Sequence, residues 1–187
     1  MGLSLNDENR RCDAVAKKST LKNYLKTITY EHANCTLTAS VDNFSGGSGA
    51  DAFNGVIANT GAANTTGTTF QAGDILSGGA GTDTLNISVA GGTAGTNAAV
   101  TLTGIEKVLV SNVNSATQSI SLALADSALT TVGHSSSNTN AVTTFAGLNK
   151  IVASELSNGD AGITLSYNST VIAGTADSAS LALSNQT

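Results

Sequence analysis

The sequence predicts an all-β protein, a parallel β-helix whose coils are about twenty residues long, with a short helical segment in front of it. Three observations predict it: a composition too poor in large side chains for a thick core, short apolar stretches recurring between polar clusters, and a glycine-aspartate nonapeptide that occurs twice. Charged residues make up 11% of the chain and aromatics 4%, with no tryptophan and no proline. An ordinary globular domain carries about a quarter charged residues. A chain filled instead with Thr, Ser, Asn, Ala and Gly has to stack small residues regularly and saturate its backbone hydrogen bonds, which a solenoid does coil by coil. A β-sandwich with evenly spaced strands is the competing architecture.

The first element, residues 1 to 34, differs from the rest. Six of the eight Lys and Arg lie before residue 27, whereas after Cys35 nine acidic residues face only Lys107 and Lys150. In "LNDENRRCDAVAKKSTLKNYLKTI" the acids come first and the lysines later, which suits a helix dipole. Cys12, Val15 and Ala16, then Leu21, Leu25 and Ile28, recur at helical spacing. One or two short helices are therefore expected over residues 1–34, with Ser4 or Asn6 as a cap. Their narrow apolar stripe implies docking on the body or on a neighbouring molecule. No apolar run reaches the length of a membrane span, and residues 1–30 hold no signal-peptide core. The basic residues are interleaved with Asp7, Glu8, Asp13 and Glu31, and the acidic body repels phosphate, so a nucleic-acid partner is not expected.

From Cys35 to residue 187 the pattern is that of strands. "CTLTASVDNF" alternates, and "TLNISV", "AVTLTGIEKVLVS", "SISLALAD", "AVTTFAGLNKIVAS", "GITLSYNSTVIAG" and "ASLALS" follow between Gly, Asn, Ser and Thr clusters. Leu102, Leu122, Phe145, Leu165 and Leu183 align as equivalent positions at intervals of about twenty residues, the expected length of one coil.

The nonapeptide pattern G-G-x-G-x-D-x-U-x, with U apolar, fits Gly46 to Asn54 and again Gly78 to Asn86. Each copy follows a matching half-unit, Asp42-Asn43-Phe44-Ser45 or Asp74-Ile75-Leu76-Ser77, with the same interval from Asp to Asp. The glycines permit a tight turn with carbonyls directed inward. The aspartate supplies charge, and the apolar residue two places on enters the core. Ca²⁺ takes six to eight oxygen ligands in flexible geometry, so the expected ligands are Asp51 and Asp83 with carbonyls of Gly46, Ser48, Gly78 and Ala80, completed or oriented by Asp42 and Asp74. One ion fits between the two turns if they stack, the stretch 55–72 being an excursion between them. The plainer alternative is a glycine turn in which Asp only accepts backbone N–H groups.

"TLTASVDNFSGGSGADAFNG", "TTFQAGDILSGGAGTDTLNISV" and "VTLTGIEKVLVSN", in that order, resemble the calcium-binding surface-layer proteins of freshwater stalked bacteria and related large secreted proteins with repeat-in-toxin motifs. The resemblance covers about residues 35–112 and thins toward residue 187. It implies a right-handed β-helix holding several Ca²⁺ ions, type I secretion to the cell surface, and assembly into a two-dimensional extracellular coat.

An enzyme is not expected. His32 and His134 have no companion at triad or ligand spacing, and Cys12 and Cys35 lack C-x-x-C or zinc spacing. The cysteines are either buried thiols or a disulfide formed in an oxidising exterior. Three functional classes remain: a calcium-dependent structural subunit self-associating into a sheet or filament, an adhesin or other binding module with cell-surface polysaccharide as partner, and the repeat region of a larger secreted protein.

Overall fold

The structure, a computed structural model, describes residues 12–16, 30–58, 67–91, 93–97, 99–113, 116–137, 141–150, 152–157, 162–173 and 178–184. Its strands are β1 (Cys12–Ala16), β2 (Tyr30–Thr36), β3 (Asn43–Ser45), β4 (Ala52–Ala58), β5 (Ile75–Ser77), β6 (Thr84–Ala90), β7 (Gly95–Asn97) and β8 (Thr101–Thr103). They continue with β9 (Lys107–Asn112), β10 (Gln118–Ser121), β11 (Thr131–His134), β12 (Val142–Leu148), β13 (Ala153–Ser157), β14 (Gly162–Tyr167) and β15 (Leu181–Ser184). These form a parallel β-solenoid of about four turns, as the composition and the recurring strands predict. Among the described residues there is no helix, and so none long and apolar enough to cross a membrane.

The chain winds over three faces. The first is the eight-stranded sheet β1-β2-β4-β6-β9-β11-β13-β15, the second the three-stranded sheet β3-β5-β8, and the third the four-stranded sheet β14-β12-β10-β7. Side chains alternate in and out along each strand, and parallel register turns that alternation into columns running along the solenoid. On the first face Cys35, Phe53, Leu85, Val108 and Val132 stand opposite one another in succession, all buried. Phe44, Leu76 and Leu102 form the column of the second face, and Ile120, Phe145 and Leu165 that of the third. Stacking the apolar residues of successive coils on one another explains how so few large residues suffice: all four phenylalanines are buried in the shared core.

The register corrects the period read from the sequence. Phe53, Leu85, Val108, Val132, Ser154 and Leu181 share one column, and the steps between them are unequal, longest from Phe53 to Leu85 and shortest from Val132 to Ser154. Leu102 belongs to the second face, Ile120 rather than Leu122 opposes Phe145, and Leu183 lies on the first face beside Leu156. Unequal coils place evenly spaced apolar residues on different faces. The stretch 55–72 is also only partly an excursion: Gly55–Ala58 completes β4, and Phe70 returns to the core while Thr69 N–H donates to the Val56 carbonyl (2.8 Å).

The helical expectation for residues 1–34 fails where it can be read. Residues 12–16 form β1, antiparallel to β2, and residues 30–34 belong to β2; residues 1–11 and 17–29 lie outside those described. The pairing sets Cys12 opposite Cys35, and Cys35 is disulfide-bonded, with no free cysteine described. Cross-strand covalent geometry thus overrides the weak helical spacing. A bridge closing a loop of about two dozen residues restricts the unfolded chain by roughly 3 kcal/mol. Replacing Cys35 with Ser is expected to lower the urea-unfolding free energy by about that much, and added reductant to bring the wild type to the same value.

Candidate functional site

The two glycine turns stack, as the repeated motif requires. Phe53 pairs with Leu85 in register, and Ala80 N–H donates to the Gly47 carbonyl (3.1 Å). Only glycine permits this approach: at Gly79 and Gly81, where φ is positive (101° and 127°), a Cβ would lie 2.2 Å from Gly47 O and 2.4 Å from Gly49 O.

The stacking aligns the acidic residues into two ladders that run along the solenoid. At the entrance to the second face, Asp42 N–H donates to Asp74 Oδ1 (2.9 Å) and Gln71 N–H to Asp74 Oδ2 (2.9 Å), while Thr38 N–H donates to Asp42 Oδ2 (2.6 Å). At the entrance to the first face, Asp51 N–H donates to Asp83 Oδ1 (2.7 Å) and Asp83 N–H to Glu106 Oε2 (2.7 Å). Asp51 itself accepts from Ala33 N–H at Oδ1 and from Gly47 N–H at Oδ2 (2.6 Å). Each carboxylate therefore caps the backbone of a neighbouring coil or turn, the role expected of a plain glycine-aspartate turn.

One atom is left over. Asp83 is fully buried, and its Oδ2 has no hydrogen-bond partner. A buried, unpaired charged oxygen is costly unless something neutralises it. Beside it the oxygens lie directly against the glycine: a Cβ on Gly78 would sit 2.3 Å from Asp83 Oδ2 and 2.0 Å from the Gly104 carbonyl. One coil earlier the arrangement repeats, with Asp51 Oδ2 and the Gly78 carbonyl each 2.2 Å from where a Gly46 Cβ would stand. Carboxylate and carbonyl oxygens of adjacent coils thus pack against these glycines, and their chemistry, hard and all-oxygen, is of the kind that suits Ca²⁺ rather than a thiophilic metal. Among the described residues no three His, Cys, Asp or Glu side chains converge, so backbone carbonyls would have to supply much of the coordination.

Electrostatics follow from the stacking. Burial raises the Asp83 carboxyl above its ordinary range; the Asp51 N–H bond opposes this, and the charges of Asp51 and Glu106 add to it. Burial raises Asp74 too, against the N–H groups of Asp42 and Gln71 and with the charge of Asp42. A carboxyl raised in the folded state stabilises the fold in acid, and that contribution is lost as pH rises through the folded pKa.

Of the residues singled out in the sequence, Asp51, Asp83 and the Gly78 carbonyl come together, Asp42 and Asp74 form their own ladder, and Gly46 packs closely against Asp51 and the Gly78 carbonyl. Ser48 and Ala80 are exposed residues of the two turns. Glu106 and Gly104 were missed. The available signal was G-x-acid recurring as Gly49-x-Asp51, Gly81-x-Asp83 and Gly104-x-Glu106, the last two separated by the same step that takes Leu85 to its register partner Val108. His32 and His134 serve separate places: His32 Nδ1 lies 2.9 Å from the Ala50 carbonyl, and His134 is buried on β11. No protein family, curated protein or solved structure matches the chain. What is established is therefore the β-solenoid; the surface-layer and repeat-in-toxin resemblance has no support from these comparisons.

Proposed function

We propose that this chain is a calcium-stiffened structural subunit of an extracellular assembly, a surface layer or filament. The observation that carries this reading is the orphaned Asp83 Oδ2, buried in a ladder of three acidic residues and packed, like the Gly104 carbonyl, against Gly78. A cation there would join coils whose carboxylates otherwise repel, and ion binding confined to the folded state stabilises it by about 2.7 kcal/mol at a hundred times the dissociation constant. A proline-free β-solenoid with a disulfide at one end suits an external scaffold. The export route and the coat are part of the proposal, by resemblance.

Asp83→Asn tests the site, because it keeps an acceptor for Asp51 N–H but removes the buried charge. In chelator the variant is expected to be at least as stable as the wild type. In millimolar Ca²⁺ it is expected to lose most of the calcium-induced rise in melting temperature, and Asp83→Ala to lose that rise while also becoming less stable in chelator. Calorimetry that detects no Ca²⁺ binding to the wild type at millimolar concentration would sink the calcium reading. Negative-stain imaging with and without Ca²⁺ tests the assembly: dispersed rods under both conditions count against it.

One observation favours the binding-module reading. On the outer side of the third face Thr96, Ser119, Thr144 and Thr164 stand opposite one another, beside Ser121, Ala146 and Ser166. Such a charge-free hydroxyl array suits an uncharged polysaccharide, and retention on a polysaccharide column that a Thr144→Lys variant loses would support it.

A further inference from the structure

One inward column of the first face is apolar except at a single coil. Ile87, Val110, His134 and Leu156 stand opposite one another in succession, and His134 is 1% exposed with neither ring nitrogen hydrogen-bonded. The polar side chain has polar neighbours. The next inward column runs Ile57, Val89, Asn112, and on the third face Gln118 and Thr143 are register partners. Asn112, Gln118 and Thr143 are all fully buried, and Asn112 Nδ2 donates to Thr143 Oγ1 (3.3 Å) across the corner that joins the two faces. Polar groups thus replace apolar ones at one corner of the coils of β9 and β11, whereas the inward side chains of β4 and β6 are Phe53, Ile57, Leu85, Ile87 and Val89.

That corner is close to water. His134 ends β11, and two residues on, Ser136 is exposed. Around it Ser135 N–H donates to the Val110 carbonyl (3.0 Å), and Ser137 Oγ accepts from Asn112 N–H (3.0 Å). No charge faces the imidazole from the described elements packed about it. Lys107 of β9 and Glu155 of β13 lie on the outer side and pair with each other (3.1 Å), β10, β12 and residues 135–137 have no ionisable side chain, and β14 has only Tyr167. An imidazolium buried there has neither counter-charge nor acceptor, so it is stable only where water reaches it. A route to water runs along its own chain, through the corner that Asn112 and Thr143 line and that hydrates more readily than the apolar columns on the other sides.

We propose that the corner after β11 is an acid-operated joint: protonation turns the His134 imidazole out to solvent, parting Ser135 from Val110 and Ser137 from Asn112, while the coils of β4 and β6 stay closed. The opening is local, distinct from unfolding of the whole solenoid. It does not rest on calcium, because the ladder of Asp51, Asp83 and Glu106 precedes the first-face strands and this corner follows them. Burial lowers the pKa of the closed imidazole from 6.5 to about 4, so the open state binds the proton first and gains as pH falls from 6.5 toward 4. Between pH 7.5 and pH 4.5 the opening constant rises roughly 70-fold.

Hydrogen exchange resolved by residue tests it, at pH 7.5 and pH 4.5, with each rate compared with the intrinsic rate at that pH, without urea and in low urea. Protection of the Asn112 and Ser135 amides is expected to fall roughly 70-fold in acid and to be insensitive to urea, because a local opening exposes little surface. Protection of the β4 and β6 amides is expected to fall with urea. His134→Leu has no proton to bind at that place and is expected to abolish the acid effect on Asn112 and Ser135; His134→Gln, which keeps a polar side chain without a titrating group, is expected to do the same. Acid-induced exchange with the urea dependence of β4 and β6 overturns the proposal, since the solenoid then opens only as a whole. An acid effect that both variants retain overturns it too, and so does a wild type whose Asn112 and Ser135 are equally protected at the two pH values.

Discussion

Gly78→Ala is expected to destabilise the protein by more than about 3 kcal/mol, among the largest effects of any single methyl group added to the chain. The new Cβ would lie 2.0 Å from the Gly104 carbonyl oxygen, 2.3 Å from Asp83 Oδ2 and 2.7 Å from Asp83 Cβ. The first of these is backbone, held by its own coil. Moving it means parting the coils where Gly78 N–H donates to the Thr103 carbonyl (2.9 Å) and Asp83 N–H to Glu106. Overpacking a close-packed site costs about 1–3 kcal/mol where neighbours can give, and here the loss of stacked hydrogen bonds adds to it. Gly162→Ala is the matched control: its Cβ would find the Val142 side chain at 3.5 Å, an ordinary contact, and no positive φ is involved. That substitution is expected to be neutral or to stabilise by up to about 1 kcal/mol, through the reduced freedom of the unfolded chain. Urea unfolding followed by circular dichroism measures both. A Gly78→Ala variant within about 1 kcal/mol of wild type would mean that the turns do not stack this closely.

The contrast between these two glycines also marks what the sequence could convey. A glycine needed for a turn writes its demand into the local pattern, so the duplicated G-G-x-G-x-D unit located both turns and their stacking. The apolar alternation after each turn likewise identified the strands. Register between coils is a different kind of information. It depends on the length of every intervening loop, and steps as unequal as Phe53 to Leu85 and Val132 to Ser154 defeat a search for one period. For the same reason Glu106 went unrecognised: the third turn keeps the G-x-acid core but drops the flanking glycines, so only the coil length reveals that its carboxylate stands under Asp83. The β1 segment was misread because three apolar residues over five positions fit a helix as readily as a strand, and only pairing with β2 decides between them. The buried environment of His134 had no local signature at all.

His134 supplies the second large effect, in acid. Its register neighbours on β9 and β13 are Val110 and Leu156, it is 1% exposed, and neither ring nitrogen has a hydrogen-bond partner. Among the described residues no counter-charge is at hand: Lys107 of β9 and Glu155 of β13 sit in outward columns and pair with each other at 3.1 Å, β12 has no ionisable side chain, and β14 offers only Tyr167. Burial accordingly lowers the His134 pKa from 6.5 to about 4. A depressed folded pKa means that the unfolded chain binds the proton first. Stability is therefore complete above pH 6.5 and is lost as pH falls from 6.5 toward 4. The loss amounts to about 2.5 kcal/mol at pH 4.5 and about 3 kcal/mol at its limit. Raised carboxyls at Asp74 and Asp83 act in the opposite sense, so the pH profile of the wild type alone mixes the two. His134→Leu separates them. It fills a similar volume, leaves both acid ladders unchanged, and removes an N–H with no acceptor, so at pH 7.5 it is expected to stabilise by about 1–3 kcal/mol. The gap between variant and wild type is expected to widen by about 2.5 kcal/mol on going to pH 4.5, because only the wild type has a buried imidazole to protonate. Urea melts at the two pH values give the difference directly. If the gap stays constant within about 0.5 kcal/mol, the imidazole has a partner or contact with water in solution.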